Sequence, residues 1–328
     1  MRMTCLRLVL SAVERSTMRE SRSLISWKDF AAKEFAEPMW LIDPYVPRDG
    51  IIFLWGETST GKSPLGWQMA AAIGRGDNFF GLPANPGRVL YLELDTPQRL
   101  LHDRITKMPI PPNVDFLFLP PLSVPEVSPA DQALLDRAAR NEYDLVIINT
   151  LRKVHNLNDK EAQTPKIVYS YFQHLFPGTA LVFVHHTKKT QIDANGNAGR
   201  AKESFSGAMN WLNDAQVGLF LGAYESEKEG INVRLHHEKS QVSDLYGPLG
   251  LHLSRQDGAT MGCPKFEQLL KVYEVINSEP ELHGTKLDEM LAKMLGTSPA
   301  TAYVRRKAIE NKEFPGVGWL GRKEKGVD

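Results

Sequence analysis

One octapeptide constrains the fold of this chain more than any other segment: GETSTGKS, at residues 56–63. It matches the pattern G-x-x-x-x-G-K-[ST], follows the apolar run IIFLW at residues 51–55, and opens a stretch that predicts a helix through Ile73. Glycines in this pattern let the backbone wrap around phosphate groups, and the N–H groups at a helix start supply positive potential. The segment therefore predicts a strand, a phosphate-binding loop and a helix, in that order.

The loop residues have distinct predicted roles toward a nucleotide. Lys62 would reach the β- and γ-phosphates of ATP, and the Ser63 hydroxyl would ligate Mg²⁺. Pro64 fits sterically in the first helical turn, but it has no N–H to donate toward an α-phosphate, so we expect some loss of affinity. The residues expected to contact the nucleotide are Gly56, Glu57, Thr58, Ser59, Thr60, Gly61, Lys62, Ser63 and Pro64.

Apolar strands alternate with helices along most of the chain, which predicts an α/β fold with a mostly parallel sheet covered on both faces. Strands are expected at 51–55, 88–94, 115–119, 145–149 and 180–185, with antiparallel additions at 217–221, 232–236 and 249–253. Further helices are expected at 97–107, 130–141 and 165–176. We divide the chain into a flexible extension (1–24), a phosphate-loop domain (25–262) with a packed lead-in at 25–49, and a C-terminal module (263–328).

Composition excludes several classes of protein. Lys plus Arg and Asp plus Glu both number 39, so the chain is not a uniformly basic nucleic-acid coat protein, although local basic loops remain open. Two cysteines, Cys5 and Cys263, are too few for a disulfide scaffold and predict a reducing, cytoplasmic setting. There is no run of 18 apolar residues, so we expect no membrane span.

Polar residues stand where the predicted parallel strands end, which is where such sheets carry chemistry. Asp95 is the expected water-orienting acid of a nucleotide-hydrolysing site, with Glu93, two residues earlier, as the reserve choice. A solvated strand-end acid is the alternative for Asp95. A second acid is expected behind Mg²⁺ at position 149, where this chain has Asn149. Either hydrolysis is slowed, or Mg²⁺ is held mainly by Ser63 and the phosphates.

Two histidines, His185 and His186, stand at the end of the strand predicted at 180–185. Adjacent strand residues point to opposite faces, so we do not expect the pair to share a metal ion. The same argument applies to His236 and His237. Ordinary polar residues at a strand end remain the alternative for the first pair.

These segments resemble, in order and spacing, those of the RecA-like hexameric replicative helicase ATPases, in the branch of the plasmid helicase RepA and its phage and mobile-element relatives. The resemblance lies within residues 25–255 and rests on WLIDPYVPRDGIIFLWGETSTGKS, GLPANPGRVLYLELDTPQRLLHDRI, LVIINTLRKVH, VFVHHTKK and EKSQVSDLYGPLGL. It implies that residues 25–262 form a RecA-like P-loop ATPase domain that binds ATP and Mg²⁺. It also implies a homo-oligomer, a hexameric ring or filament, with single-stranded DNA in a central channel.

The resemblance also assigns roles to single residues. The family usually has Glu at the position of Asp95, Asp at that of Asn149, and a His that matches His186. Lys239 matches a basic residue that acts on the nucleotide of a neighbouring subunit, and Gln241 lies near a second such position. The catalytic candidates are Lys62, Asp95, Glu93, His186 and Lys239, and the metal candidates are Ser63 and Asn149.

In this family the loops after the strands at 145–149 and 180–185 line the DNA channel. Basic side chains in such loops suit a phosphate backbone and give sequence-tolerant binding. Each can equally be a solvated surface charge. The candidates are Arg152, Lys153, Lys160, Lys188, Lys189, Arg200 and Lys202.

The C-terminal module reads as helices only, at 265–277, 285–295 and 299–311, with Ser298 as a suitable N-cap. Two helices joined by a glycine turn, the last one basic, are typical of helix-turn-helix or winged-helix DNA-binding modules. A small packing domain without DNA contact is the alternative. The DNA-contact candidates here are Arg305, Arg306 and Lys307.

Two functions stay open on the sequence. The site layout favours an ATP-driven DNA translocase or replicative helicase, or an accessory ATPase of a phage or mobile element. Asn149 and Pro64 favour instead a nucleotide-switched DNA-binding or assembly protein that turns over little ATP.

Overall fold

The computed structural model describes residues 24–35, 39–106, 111–159, 161–187, 209–226, 230–246, 248–254, 261–263, 275 and 284–310. The strands are β1 (Trp40–Ile42), β2 (Val46–Pro47), β3 (Ile51–Glu57), β4 (Asn78–Phe79), β5 (Leu82–Pro83), β6 (Val89–Glu93), β7 (Val114–Phe118), β8 (Leu145–Asn149), β9 (Ala180–Thr187), β10 (Val217–Ser226), β11 (Gly230–Ser240), β12 (Leu249–Ser254) and β13 (Met261–Gly262). The helices are α1 (Trp27–Ala31), α2 (Lys62–Arg75), α3 (Gln98–Ile105), α4 (Pro129–Ala139), α5 (Gln163–Leu175), α6 (Met209–Asp214), α7 (Thr285–Leu295) and α8 (Pro299–Glu310).

Nine strands form one sheet in the order β13-β12-β11-β10-β3-β9-β8-β6-β7. The six strands from β10 to β7 run parallel, and β11, β12 and β13 are antiparallel additions at one side. The prediction of an antiparallel addition is therefore wrong for 217–221, since β10 pairs with β3 in parallel. The predicted fold class, a RecA-like α/β core with a mostly parallel sheet, is confirmed. The phosphate-loop strand β3 lies inside the sheet, between β9 and β10.

Alternation along β3 assigns its side chains to the two faces of the sheet. Ile52 and Leu54 belong to the hydrophobic core beneath α2, whereas Phe53 and Trp55 belong to a second core beneath α4, α5 and α6. Both faces are therefore apolar, which explains why β3 reads as a continuous hydrophobic run.

The expected lead-in divides into two parts with opposite behaviour. Residues Trp40–Pro47 form the β1–β2 hairpin, and Leu41 and Tyr45 are buried in the core beneath α2. Trp27, by contrast, is 85% exposed, and α1 buries none of its residues. The prediction of a packed lead-in is therefore wrong for residues 25–35, where aromatic content alone suggested burial.

Within the C-terminal module, α7 and α8 occupy the positions predicted for two of its three helices. Leu287, Leu291 and Ala302 form their apolar contact. The helix predicted at 265–277 and the tail at 311–328 lie outside the described residues apart from position 275. Among the described residues no helix is both long and apolar enough to cross a membrane.

Candidate nucleotide-binding site

The phosphate loop lies between β3 and α2, at the carboxyl end of the parallel strands. Gly56 is required by packing, since a Cβ there would sit 2.1 Å from the Leu221 carbonyl oxygen of β10. Gly61 has φ +92°, in the left-handed region that favours glycine, and its α-carbon lies beneath the side chains of Leu253 and Met261. Strands β12 and β13, which come about 200 residues later in the chain, therefore pack against one side of this loop.

Lys62 folds into the loop that precedes it. Its Nζ donates to the Gly56 carbonyl oxygen at 2.9 Å and to that of Glu57, and the residue is 2% exposed. Burial lowers the pKa of Lys62 to about 7. The Lys62 side chain therefore lies at the start of α2, where the backbone dipoles also favour a bound anion.

A chain of hydrogen bonds joins the start of α2 to the ends of two parallel strands. The Ser63 hydroxyl donates to Asn149 Oδ1 at 3.4 Å, and Asn149 Nδ2 donates to Glu93 Oε2 at 2.8 Å. Glu93 and Asn149 are direct neighbours in the β6–β8 register and are 1% and 2% exposed. The other oxygen, Oε1, accepts the N–H groups of Asp95 and Thr96 at 2.9 and 2.8 Å.

Glu93 and Asp95 lie in different surroundings. Burial raises the pKa of Glu93, and the three N–H donors oppose that rise. The Asp95 side chain is 44% exposed and faces Lys153, with 4.0 Å between Oδ1 and Nζ. Both line a cavity of about 270 Å³ at the ends of β6 and β7. Glu93, the reserve choice, is therefore the acid that is joined to Ser63 through Asn149. Asp95, the first choice, lies at the rim of the cavity.

The two histidines lie within strand β9, which runs through Thr187 and is longer than predicted. His186 pairs in register with Gly56 of the loop strand, and burial together with the charge of Lys62 lowers its pKa. His185 lies in the core on the opposite face, 5.8 Å from the Phe53 ring, and burial lowers its pKa to about 4. The described part of the chain contains no group of three or more His, Cys, Asp or Glu that could hold a metal.

Lys239 lies away from the phosphate loop of its own chain. It pairs with Gly218 on β10, and Gly218 pairs with Phe53, three residues before the loop begins. Its Nζ donates to the Leu212 and Asn213 carbonyl oxygens at 2.8 and 2.6 Å and so caps the end of α6. Gln241 follows on the same side of the sheet, where its N–H donates to the Gln216 carbonyl.

The basic DNA candidates separate into three groups. Arg152 and Lys153 lie on a 3₁₀ turn directly after β8, close to Asp95. Arg306 is buried and donates two hydrogen bonds to Asp288 on α7, so the prediction that it contacts DNA is corrected: it holds α7 and α8 together. Lys307 is half-buried on α8. The candidates outside the described residues are Lys160, Lys188, Lys189, Arg200, Lys202 and the side chain of Arg305.

The sequence analysis missed Tyr91. This fully buried side chain lies beside Ser63 and Trp67, and burial raises its pKa well above the usual range. Its position two residues before Glu93, on the same strand face, was the available signal. Tyr91 lies under the first turn of α2 and supports Ser63 from below.

The donor set fits a magnesium ion that arrives with a nucleotide. The Ser63 hydroxyl and the Asn149 amide oxygen are hard oxygen ligands, and Mg²⁺ is commonly held by one or two protein oxygens, water and phosphates. When bound, Mg²⁺ neutralises phosphate charge. A glycine-rich loop with a buried lysine at the start of α2 and a polar row at the strand ends define a P-loop nucleotide-binding protein with a RecA-like core.

A comparison with protein families agrees with that class. The model of the AAA domain family matches residues 14–191, more than half of the chain, and the chain belongs to this family of P-loop ATPases. It is also similar to the crystal structure of a KaiC-like protein from the hyperthermophilic archaeon Pyrococcus horikoshii OT3, at 11% identity and a TM-score of 0.47. That similarity covers 68% of this chain and 92% of the other. No curated protein is significantly similar in sequence to the present chain.

Proposed function

We propose that this protein is an ATP-driven motor, a DNA-stimulated ATPase that acts as a helicase or as an accessory replication ATPase of a phage or mobile element. The observation that carries the proposal is the placement of Lys62 inside the loop, with Ser63 joined through Asn149 to a buried carboxylate. The first feature suits phosphate binding, and the second suits the magnesium end of an ATPase site.

The residues have separate roles in this proposal. Lys62 binds the β- and γ-phosphates, and Ser63 with Asn149 holds Mg²⁺. Asp95, exposed at the rim of the cavity, orients the attacking water, and His186, in register with Gly56, senses the terminal phosphate.

Stimulation by DNA has a physical route in the Lys153–Asp95 pair. The two charged groups are 4.0 Å apart and both are about half exposed, so their attraction is weak and a competing phosphate can replace it. A DNA phosphate that binds Lys153 would leave the Asp95 carboxylate available to water. The basic turn after β8 then links DNA binding to hydrolysis.

Oligomerisation follows from the place of Lys239. Because the register puts Lys239 two strands away from Phe53, it can serve a nucleotide only if that nucleotide is bound to a neighbouring subunit. We propose a homo-oligomeric ring or filament built from the domain at 25–262. Residues 1–24 form an extension, and residues 263–328 form a separate module.

A second function is a nucleotide-switched DNA-binding or assembly protein with little ATP turnover. Pro64, which removes one N–H donor from the first turn of α2, is the observation that favours it. In that case ATP binding and DNA binding would be coupled, but phosphate release would remain slow with DNA present.

The deciding experiment is ATP hydrolysis with and without single-stranded DNA, for the wild type and for Lys62→Ala. Lys166→Ala, which removes the same side chain from an exposed position on α5, is the matched control. We expect DNA to raise hydrolysis in the wild type and the control, and Lys62→Ala to weaken ATP binding by about 100-fold or more, since it removes the buried cation. Undiminished ATP affinity in Lys62→Ala would refute the proposed nucleotide site.

A further inference from the structure

The charged member of the hydrogen-bond chain Ser63–Asn149–Glu93 is Glu93 on β6. The family resemblance expects an acid at position 149, on the neighbouring strand β8. Position 149 on β8 carries a neutral amide, whereas its direct neighbour on β6 is Glu93. We propose that Glu93 is a positioning residue that supplies, through Asn149, the negative charge of the magnesium end of the site. This inference rests on the proposed function and adds a role for a buried residue.

The orientation of the Asn149 amide depends on Glu93. Within the described part of the chain, the Glu93 carboxylate accepts each of its hydrogen bonds, from Asn149 Nδ2 on one oxygen and from the Asp95 and Thr96 N–H groups on the other. A side chain that only accepts forces the Asn149 amide to direct its NH₂ group toward it. The amide oxygen then faces Ser63, as a hydroxyl or a cation requires.

Burial makes this single charge effective. Glu93 and Asn149 are both nearly inaccessible to solvent, so the carboxylate polarises the amide more strongly than it would in water. The site therefore has one buried carboxylate, that of Glu93 on β6. The Asn149 amide on β8 lies between this carboxylate and Ser63. Partners of metal ligands act in this way elsewhere, and their loss typically lowers metal affinity by about 10–100-fold.

The same geometry explains why an acid at position 149 would not suit this chain. Asn149→Asp would place a second carboxylate 2.8 Å from Glu93 Oε2, and two buried carboxylates at that distance cannot both be ionised. This proposal differs from the alternative in which Asn149 slows hydrolysis. The pair functions as a unit, and exchanging the two groups together preserves the charge.

The test is a charge exchange between the two strands. Three variants are compared with the wild type: Glu93→Gln, Asn149→Asp, and the double variant with both changes. Glu126→Gln is the matched control, since it makes the same change as Glu93→Gln at an exposed position outside the hydrogen-bond chain. The readout is the dissociation constant of a fluorescent, non-hydrolysable ATP analogue, measured in Mg²⁺ and again in EDTA, with thermal unfolding as a check on folding.

We expect Mg²⁺ to tighten binding in the wild type and in Glu126→Gln by the same factor. In Glu93→Gln the introduced NH₂ group would face Asn149 and turn its amide, so this factor should fall about tenfold while affinity in EDTA stays within about twofold. Asn149→Asp alone should also lower the factor. The double variant should restore it to within about threefold of the wild type, which a merely structural role for Glu93 would not do.

Two results would overturn the inference. One is an unchanged Mg²⁺ factor in Glu93→Gln. The other is a loss that the double variant does not restore, including a loss through unfolding of both variants. Either result leaves the proposed function intact if wild-type binding still depends on Lys62, whereas a wild type that binds no ATP analogue refutes both.

Discussion

Replacing Pro64 should tighten nucleotide binding, because the proline removes a hydrogen-bond donor from the helix start that faces the phosphates. Pro64 is the third residue of α2, and the next N–H group, that of Leu65, is bound to the Gly61 carbonyl at 2.9 Å. The loop thus offers an anion the N–H groups that precede position 64. Both Pro64→Thr and Pro64→Ala introduce a further donor at the mouth of the loop.

The size of the effect follows from the cost of one hydrogen bond. A bond to a charged group contributes ~1.5–3 kcal/mol, and the partly solvated helix start belongs at the lower end. About 1.4 kcal/mol is tenfold in affinity, so ADP should bind roughly tenfold more tightly to both variants. Loss of the proline should also lower the free energy of unfolding by ~0.4–1 kcal/mol, because the unfolded chain gains freedom.

Calorimetric titration with ADP measures the affinity, and thermal unfolding without nucleotide measures the stability. Pro165→Ala is the control, since Pro165 is also buried and also the third residue of its helix, α5, far from the loop. It should change stability to a similar extent and leave ADP affinity unaltered. Equal or weaker ADP binding in both Pro64 variants would refute the account.

Three further predictions concern contacts described above. Asp288→Ala should lower the free energy of unfolding by ~3–5 kcal/mol, since it leaves the buried Arg306 guanidinium without its carboxylate; chemical denaturation measures this loss, and an unaffected midpoint would contradict the pairing. Lys153→Ala should raise ATP hydrolysis without DNA and reduce the further increase on adding DNA, and equal stimulation in variant and wild type would argue against the Lys153–Asp95 route. Light scattering should show an oligomer when ATP and DNA are present, and a monomer under all conditions would remove Lys239 from the nucleotide site.

Strands β3, β6, β8 and β9 could be predicted from sequence because each contains a continuous apolar run. The short hairpins β1–β2 and β4–β5 and the six-residue helix α6 could not, since two to six residues carry no readable period. Strand β9 extends past its apolar run through His185 and His186 because it pairs with β3 as far as Thr187. Long-range pairing decided that boundary.

The phosphate loop was predictable because all its residues are adjacent in sequence. The preference for Asp95 over Glu93 rested on position relative to a strand end, which does not reveal that Asn149 lies opposite Glu93. Likewise, a basic residue on a predicted helix reads as exposed until its partner is known, and Arg306 bonds to a residue on another helix. Strand register and hydrogen bonds between separate helices are three-dimensional properties. They could not be predicted from the residues taken one at a time.

The position of β3 between β9 and β10 has a consequence for synthesis of the protein. Ile51 pairs with Leu181, about 130 residues later, and Ile52 pairs with Val217, later still. At ~5–20 residues per second, the loop strand emerges from the ribosome roughly 6–26 s before its first sheet neighbour exists. During that interval the IIFLW run is an apolar segment without a partner, exposed to aggregation and open to chaperones. The phosphate-loop strand is translated well before both strands that flank it, so slower translation lengthens the time for which the nascent chain needs protection.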